Sequence, residues 1–188
     1  MAHLLCEASK NLARFLEKVL PSLFDDWWNE AVVNILSFQQ RRRVKERGIN
    51  SMASLDLAAL LRVLDQNWYQ VSTKLELTSE ARHFVKEMQT VRNRWAHAGS
   101  EGFPVDDVYR DLDTLQRFAV VVEAGESLLD EVHETKATLL AKDRPDPGQD
   151  RCPGRRRGWN GRRGRRGRVR LHDHQYRQRH PHQRHPHG

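Results

Sequence analysis

The sequence has few cysteines and no long apolar run. Its two cysteines, Cys6 and Cys152, stand near opposite ends of the 188-residue chain, without the spacing of a zinc site or a disulfide framework. We therefore predict a protein of a reducing compartment, with Cys6 as a buried thiol among apolar helix residues. No window approaches the run of about 20 apolar residues that crosses a bilayer, and the N-terminus lacks the features of a signal peptide. These absences favour a soluble cytoplasmic domain without membrane contact.

The motifs of several enzyme classes are also missing. The chain contains no glycine-rich phosphate loop, no zinc-ligand spacing and no setting for a nucleophilic serine. We therefore expect that this chain does not hydrolyse ATP and that it holds neither a metal ion nor another cofactor.

Positive charge is distributed unevenly along the chain. Residues 151–188 contain thirteen arginines and a single acidic residue, whereas the other 150 residues carry 19 basic and 24 acidic side chains, a net charge of −5. The charge of the whole chain, +7, is therefore no argument that the body binds nucleic acid. The body has one basic cluster, which fits either a solvated helix face or a track for RNA phosphates. Its members are Arg41, Arg42, Arg43, Lys45 and Arg47.

The segment 143–188 differs in composition from the rest of the chain, being rich in Arg, Gly, Pro, His and Gln and almost free of aliphatic residues. Such a segment cannot bury enough apolar surface to fold, so we predict a disordered tail after a domain at residues 1–142. Three interpretations of the tail compete: RNA binding by Arg/Gly runs, metal binding by its histidines, and GC-rich codons translated out of frame. We favour the third, on which the native protein continues into a further domain.

Apolar residues recur at helical spacing through the body, and no segment alternates convincingly with period two. The sequence therefore predicts an all-α, compact bundle of five to six helices with short connections. The helix that opens at Ser54 is expected to continue to Val71, and the last helix to run from about 104 to about 140 with a weak point at Gly125. Other expected boundaries are Pro21, Gly48 as a C-cap, Thr78 and Pro104.

Several side chains have structural rather than functional interpretations. The tryptophans at helical spacing are better explained as core anchors than as base-stacking platforms: Trp27, Trp68 and Trp95. His83 lies beside an apolar stripe and is expected to be partly buried. Four aspartates are expected to form an exposed, ion-paired helix surface with Arg110 and Arg117, namely Asp106, Asp107, Asp111 and Asp113.

The segment with the clearest chemical potential is Arg92-Asn93-Arg94-Trp95-Ala96-His97, at the end of a strongly periodic helix. Histidine titrates near neutrality and can move a proton, and arginine presents a charged fork to phosphate oxygens. With a polar amide, these groups can perform phosphodiester chemistry without a metal. On a regular helix Asn93 and His97 share a face, but Arg92 and His97 differ by roughly 140° around the axis. They converge only if the helix ends near Trp95 or a second subunit completes the site.

This segment resembles the functional motif of the HEPN superfamily, in which an arginine and a polar residue are followed a few positions later by a histidine. The resemblance covers roughly residues 10–135 and is to the Swt-type HEPN module in particular. Such modules often precede large ATPase or helicase-like regions in prokaryotic defence-associated proteins. Besides the motif, the blocks that carry the likeness are Asp25-Asp26-Trp27-Trp28, Gln39-Gln40-Arg41-Arg42-Arg43-Val44 and the block from Leu57 to Trp68.

The resemblance implies a homodimer whose two motifs face one cleft and act on RNA. His97 would move the proton at the ribose 2′-hydroxyl or at the leaving oxygen, while Arg92 would stabilise charge on the phosphorane. Asn93 would orient the phosphate or hold His97, and Arg94 is a further candidate for RNA binding.

Two functions stay open at this point. The first is a metal-independent endoribonuclease of a defence or toxin system, with RNA, a second copy and an antitoxin as partners. The second is a non-catalytic dimerisation or regulatory module that serves a larger ATPase- or helicase-type protein. A purely structural role is also consistent with the motif, because a histidine interacts favourably with a helix C-terminus and an arginine stem can cover apolar surface.

Overall fold

Seven α-helices make up the part of the protein that the structure, a computed structural model, describes: residues 1–99 and 102–142. A π-helix (Trp28–Val33) and two 3₁₀ turns (Leu20–Ser22 and Met52–Ser54) lie in the connections. None of the described residues forms a strand, so the prediction of an all-α bundle is confirmed. The predictions for the tail at 143–188 lie outside the described residues. In chain order the helices are α1 (Ala2–Val19), α2 (Phe38–Arg47), α3 (Leu57–Gln66), α4 (Trp68–Leu75), α5 (Ser79–Ala96), α6 (Val105–Val121) and α7 (Glu126–Lys142).

The core lies where the apolar stripes of α1, α3, α5 and α6 meet. Burying one large apolar side chain contributes about 1.5–3 kcal/mol, so packing fixes the relative positions of these helices. Trp68 is buried, and Trp27 and Trp95 pack partly buried against the core, which confirms their role as anchors. Within the described residues, no helix is both long and apolar enough to cross a bilayer. Fully buried core residues include Leu12, Leu16, Leu60, Leu64, Met88 and Phe118.

Local capping interactions fix the ends of α2 and α3. The Ser37 hydroxyl oxygen accepts a hydrogen bond from the Gln40 N–H (3.3 Å), and Gln40 Oε1 accepts one from the Ser37 N–H (3.0 Å), which forms a reciprocal capping box. Gly48 ends α2 in the left-handed region with φ 59°, as predicted. Asp56 caps α3 by accepting a hydrogen bond from the Ala59 N–H at 2.8 Å. The helix therefore begins at Leu57, and the prediction that it opens at Ser54, which ends a 3₁₀ turn, is wrong. Ser37 and Gln40 also line the site described below.

Two helices that were predicted to be continuous are each divided. The helix expected to reach Val71 breaks at Asn67, whose side-chain amide donates to the carbonyls of Ala31 and Val63, both at 2.8 Å. A polar side chain that competes for backbone carbonyls in this way favours a break. The last predicted helix is divided into α6 and α7 by residues 122–125, which include the weak point predicted at Gly125. The backbone of Glu123 has a φ of 49° there. As a result α7 packs back against α6.

Two arginines hold the connection between the π-helix and α2. Arg41 donates from Nε to the Val33 carbonyl (3.0 Å) and from Nη2 to the Asn34 carbonyl (2.8 Å). Arg62 Nε donates to the Ile35 carbonyl at 2.7 Å. The last carbonyls of a helix lack partners within it, so these bonds satisfy acceptors that would otherwise need water.

Cys6 is exposed, so the prediction of a buried thiol is wrong. The buried stripe at the start of α1 consists of Leu4, Ala8 and Leu12, which are spaced four residues apart. Cys6 falls midway between the first two and therefore lies on a different face of the helix.

Candidate functional site

The motif predicted from the sequence lies at the C-terminal end of α5. The helix continues through Ala96, and His97 is the first residue beyond it, with φ −112° and ψ 14°. The His97 backbone N–H donates to the Arg94 carbonyl at 3.2 Å, and its side chain is exposed. His97 therefore stands at the C-terminal end of α5, which is the negative end of the helix dipole.

Arg92 and Asn93 line a cavity formed by the start of α2, by α3 and by α5, which we call the polar cleft. Arg92 is partly buried, and its Nη1 donates to Asn93 Oδ1 at 3.2 Å. The polar cleft has a volume of about 470 Å³, and its lining is mostly polar or charged, which suits a hydrated, charged ligand. Its lining residues are Ser37, Gln40, Ala58, Leu61, Arg62, Asp65, Gln66, Lys86, Gln89, Arg92 and Asn93.

The polar cleft contains a single acidic side chain, that of Asp65, which is buried. Lys86 Nζ donates to Asp65 Oδ2 at 2.6 Å, and Arg82 Nε lies 3.7 Å from Asp65 Oδ1. Oδ1 has no hydrogen-bond partner among the described residues. Arg62, Lys86 and Arg92 line the polar cleft together with this one carboxylate, so its lining has an excess of positive charge that attracts anions.

Arg94 and Trp95 lie on the other side of α5 and contact α6. Arg94 Nη1 is 3.2 Å from Asp111 Oδ1, and Trp95 Nε1 donates to Asp111 Oδ2 at 2.8 Å. Asp111 is only 1% exposed, so the prediction that it belongs to an exposed acidic surface is wrong. Its two oxygens are both paired, and these contacts fasten the end of α5 to α6. The guanidinium of Arg94 is engaged in this ion pair, and its role in RNA binding stays a prediction.

A second cavity lies on this side of α5, between α5 and α6. Its lining includes equal numbers of arginines and carboxylates, so it attracts anions less than the polar cleft does. Two exposed ion pairs of α6 agree with the predicted paired surface: Arg110–Asp107 at 3.8 Å and Arg117–Asp113 at 2.7 Å. The charged lining residues are Glu87, Arg94, Arg110, Asp111, Asp113 and Arg117.

His97 lines neither the polar cleft nor the groove that borders Arg92 on its other side. In one copy, Arg92 and Asn93 therefore open onto the polar cleft while His97 stands beyond the helix end. This separation agrees with the roughly 140° expected between positions 92 and 97. We call the bordering groove the α1–α5 groove, and its lining consists of Ala2, Leu5, Cys6, Ser9, Leu57, Arg92, Trp95 and Ala96.

The predicted basic cluster lies on α2, and its five side chains are exposed but differ in their contacts. Arg41 is bonded to the carbonyls before α2, and Arg42 pairs with Glu46 at 2.6 Å. A role for the cluster in RNA binding stays a prediction. The other three members make neither an ion pair nor a side-chain hydrogen bond with the described residues: Arg43, Lys45 and Arg47.

His83 is exposed near the start of α5, so the expectation that it is partly buried is wrong. The buried stripe of α5 consists of Ala81, Val85, Met88 and Val91. In the described part of the chain, no three His, Cys, Asp or Glu side chains are grouped as a metal site.

The contribution of α3 and of the middle of α5 to the polar cleft was not predicted. Lys86, Gln89 and Asn93 are spaced three and four residues apart, which puts them on one helix face, so their proximity could have been recognised from the sequence. Arg62 and Asp65 interrupt the apolar pattern of α3. Only the packing of α3 against α5 brings them to the same cleft.

An all-helical bundle with an arginine-to-histidine segment at the end of a core helix has the features expected of a HEPN domain. The chain belongs to the Swt1-like HEPN family, whose model matches residues 4–123. Comparisons with curated proteins and with solved structures gave no significant match.

Proposed function

We propose that this HEPN domain binds RNA and cleaves it without a metal, as a homodimer in a prokaryotic defence or toxin system. The observation that carries the proposal is the pair Arg92 and Asn93 in a polar cleft with excess positive charge, at the helix end that bears His97. Phosphate contacts by arginine and lysine supply much of the affinity for RNA. Family membership adds support, since the motif has the residue types of HEPN ribonucleases.

In the proposed reaction, the ribose 2′-oxygen attacks the adjacent phosphorus and the bond from phosphorus to the 5′-oxygen breaks. One fragment then ends in a 2′,3′-cyclic phosphate and the other begins with a 5′-hydroxyl. His97 takes the proton of the 2′-hydroxyl or gives one to the leaving oxygen, a role worth roughly 10²–10⁴-fold in rate, and water performs the other proton transfer. Arg92 neutralises charge on the non-bridging oxygens, and its bond to Asn93 orients both groups.

A second copy is part of the proposal because one copy does not bring His97 into the polar cleft. The α1–α5 groove adjoins Arg92 and contains the apolar side chains of Leu5, Leu57 and Trp95. We propose that two copies meet at this groove, so that His97 of one copy faces Arg92 of the other. A two-fold axis would generate two equivalent sites.

The test is cleavage of labelled single-stranded and structured RNA by the full chain, with EDTA present. We expect cleavage that survives EDTA, yields cyclic phosphate ends and is lost in His97→Ala. The matched control is His83→Ala, which removes an exposed histidine from the other end of the same helix and should leave cleavage unchanged. Every variant keeps the arginine-rich tail, so differences between variants report on the domain.

The alternative is a non-catalytic dimerisation or regulatory module of a larger ATPase- or helicase-type protein. The observation that favours it is the exposed position of His97 outside the polar cleft. A folded, dimeric wild-type chain that leaves all the RNAs intact would support this alternative and contradict the nuclease.

A further inference from the structure

Basic residues are concentrated in the part of the domain that contains the polar cleft. Residues 38–99 carry eleven Lys and Arg against six Asp and Glu, whereas residues 102–142 carry four against nine. Every lining residue of the polar cleft except Ser37 belongs to the basic stretch. A concave surface of one sign concentrates the field and raises the local concentration of anions.

The same cleft also contains four side-chain amides. Gln40, Gln66, Gln89 and Asn93 all line it, and a side-chain amide can both donate and accept hydrogen bonds. Asn and Gln are suited to the donor and acceptor edges of nucleobases. In RNA these edges are accessible mainly where the strand is unpaired.

The size of the polar cleft limits what can enter it. Its volume of about 470 Å³ falls in the range of roughly 300–1,000 Å³ typical of small-molecule sites. That space suits a single nucleotide rather than a double helix. Charge, hydrogen-bonding groups and size therefore favour the same type of ligand.

From these features we infer that the polar cleft is the binding site for one unpaired nucleotide of single-stranded RNA, beside the phosphate on which Arg92 acts. Arg62, Lys86 and Arg92 contact the phosphates, and the amides hydrogen-bond to the base. This inference rests on the proposed function and adds to it a substrate class, unpaired RNA, and a base-contacting site.

The test compares two substitutions that add the same charge at neighbouring positions of α5. Gln89→Glu puts a carboxylate into the polar cleft, whereas Thr90→Glu puts one on the side that lines the second cavity. Both are made in the His97→Ala chain so that bound RNA stays intact. Binding of single-stranded and duplex oligonucleotides is measured at 0.15 M salt, where the Debye length of about 8 Å is less than the helix diameter.

Gln89→Glu should weaken binding of single-stranded RNA about 10-fold or more, because two negative charges a few ångströms apart repel strongly in a partly buried site. Thr90→Glu should change the binding of single-stranded RNA by less than about 2-fold. Gln89→Leu, which removes the amide without adding charge, should reduce the differences in affinity among oligo-A, oligo-C, oligo-G and oligo-U. RNA containing 4-thiouridine should crosslink to residues 58–66 or 86–93.

Equal binding by the Gln89→Glu and Thr90→Glu chains, or crosslinks confined to residues 143–188, would overturn the inference. Tighter binding of duplex than of single-stranded RNA would overturn the substrate class. Cleavage that requires His97 is measured separately with the wild-type histidine in place. If it persists while these binding results fail, the inference fails and the proposed function stands.

Discussion

Neighbouring residues of the motif, although all on α5, have different surroundings. Arg92 and Asn93 line the polar cleft, whereas Arg94 and Trp95 hold the buried carboxylate of Asp111. Successive residues of a helix are about 100° apart, so the side chains of Arg92 and Arg94 point in different directions. The sequence alone therefore predicts that they lie on different faces of the helix, but it does not reveal that the partner on α6 is Asp111. That pairing depends on how two distant helices pack.

At this scale we predict that Trp95→Phe lowers the free energy of unfolding by about 1–3 kcal/mol. Phenylalanine keeps most of the packing surface but loses the indole N–H, which leaves one oxygen of a buried carboxylate without its donor. Urea denaturation followed by circular dichroism measures the change.

Trp28→Phe is the matched control for this substitution. Trp28 is also partly buried, and its indole N–H makes no hydrogen bond to a described residue. We expect a clearly smaller loss of stability than for Trp95→Phe. Equal losses would mean that the bond to Asp111 does not stabilise the domain.

At the scale of helices, the end of α2, which is set by local chemistry, was predicted, and the break after α3, which depends on a distant contact, was not. Gly48 ends α2, as predicted from the sequence. Glycine adopts the left-handed region without a Cβ clash, so it is a common residue at a helix end. The break at Asn67 was missed because one of its bonds reaches the Ala31 carbonyl, 36 residues away. A local stretch of sequence contains either Asn67 or Ala31 but not both, so a local pattern does not reveal this hydrogen bond.

The cap of α2 gives a prediction at this scale. Gly48→Ala should destabilise the domain by about 1 kcal/mol, because alanine at φ 59° brings its Cβ close to the backbone. No other atom lies within 4 Å of the added Cβ, so the loss measures backbone strain alone.

Gly125→Ala provides the comparison in thermal or urea denaturation. The φ of Gly125 lies outside the left-handed region, and the nearest atom to an added Cβ, Ser127 Oγ, is 4.0 Å away. We expect no loss, or a gain below about 1 kcal/mol from reduced freedom of the unfolded chain. Similar losses at both positions would contradict the strain argument.

At the scale of the whole molecule, the proposed site requires two copies. Cys6 lies in the α1–α5 groove at which we propose that they meet, and its thiol is exposed in one copy. A chain with Cys152→Ser leaves Cys6 as its only cysteine. We expect alkylation of Cys6 to become slower as protein concentration rises through the range in which light scattering reports dimer formation. An unchanged rate across that range would place the dimer contact elsewhere.

Cleavage by a mixture of two inactive variants tests the central claim most directly. Arg92→Ala and His97→Ala chains are each assayed alone and then after mixing in equal amounts, with EDTA present. If Arg92 of one copy acts with His97 of the other, about half of the dimers in the mixture are mixed and each has one complete site of two. We therefore predict about a quarter of wild-type activity in the mixture, and none from either variant alone. An inactive mixture from a wild type that cleaves RNA would contradict a site shared between two copies.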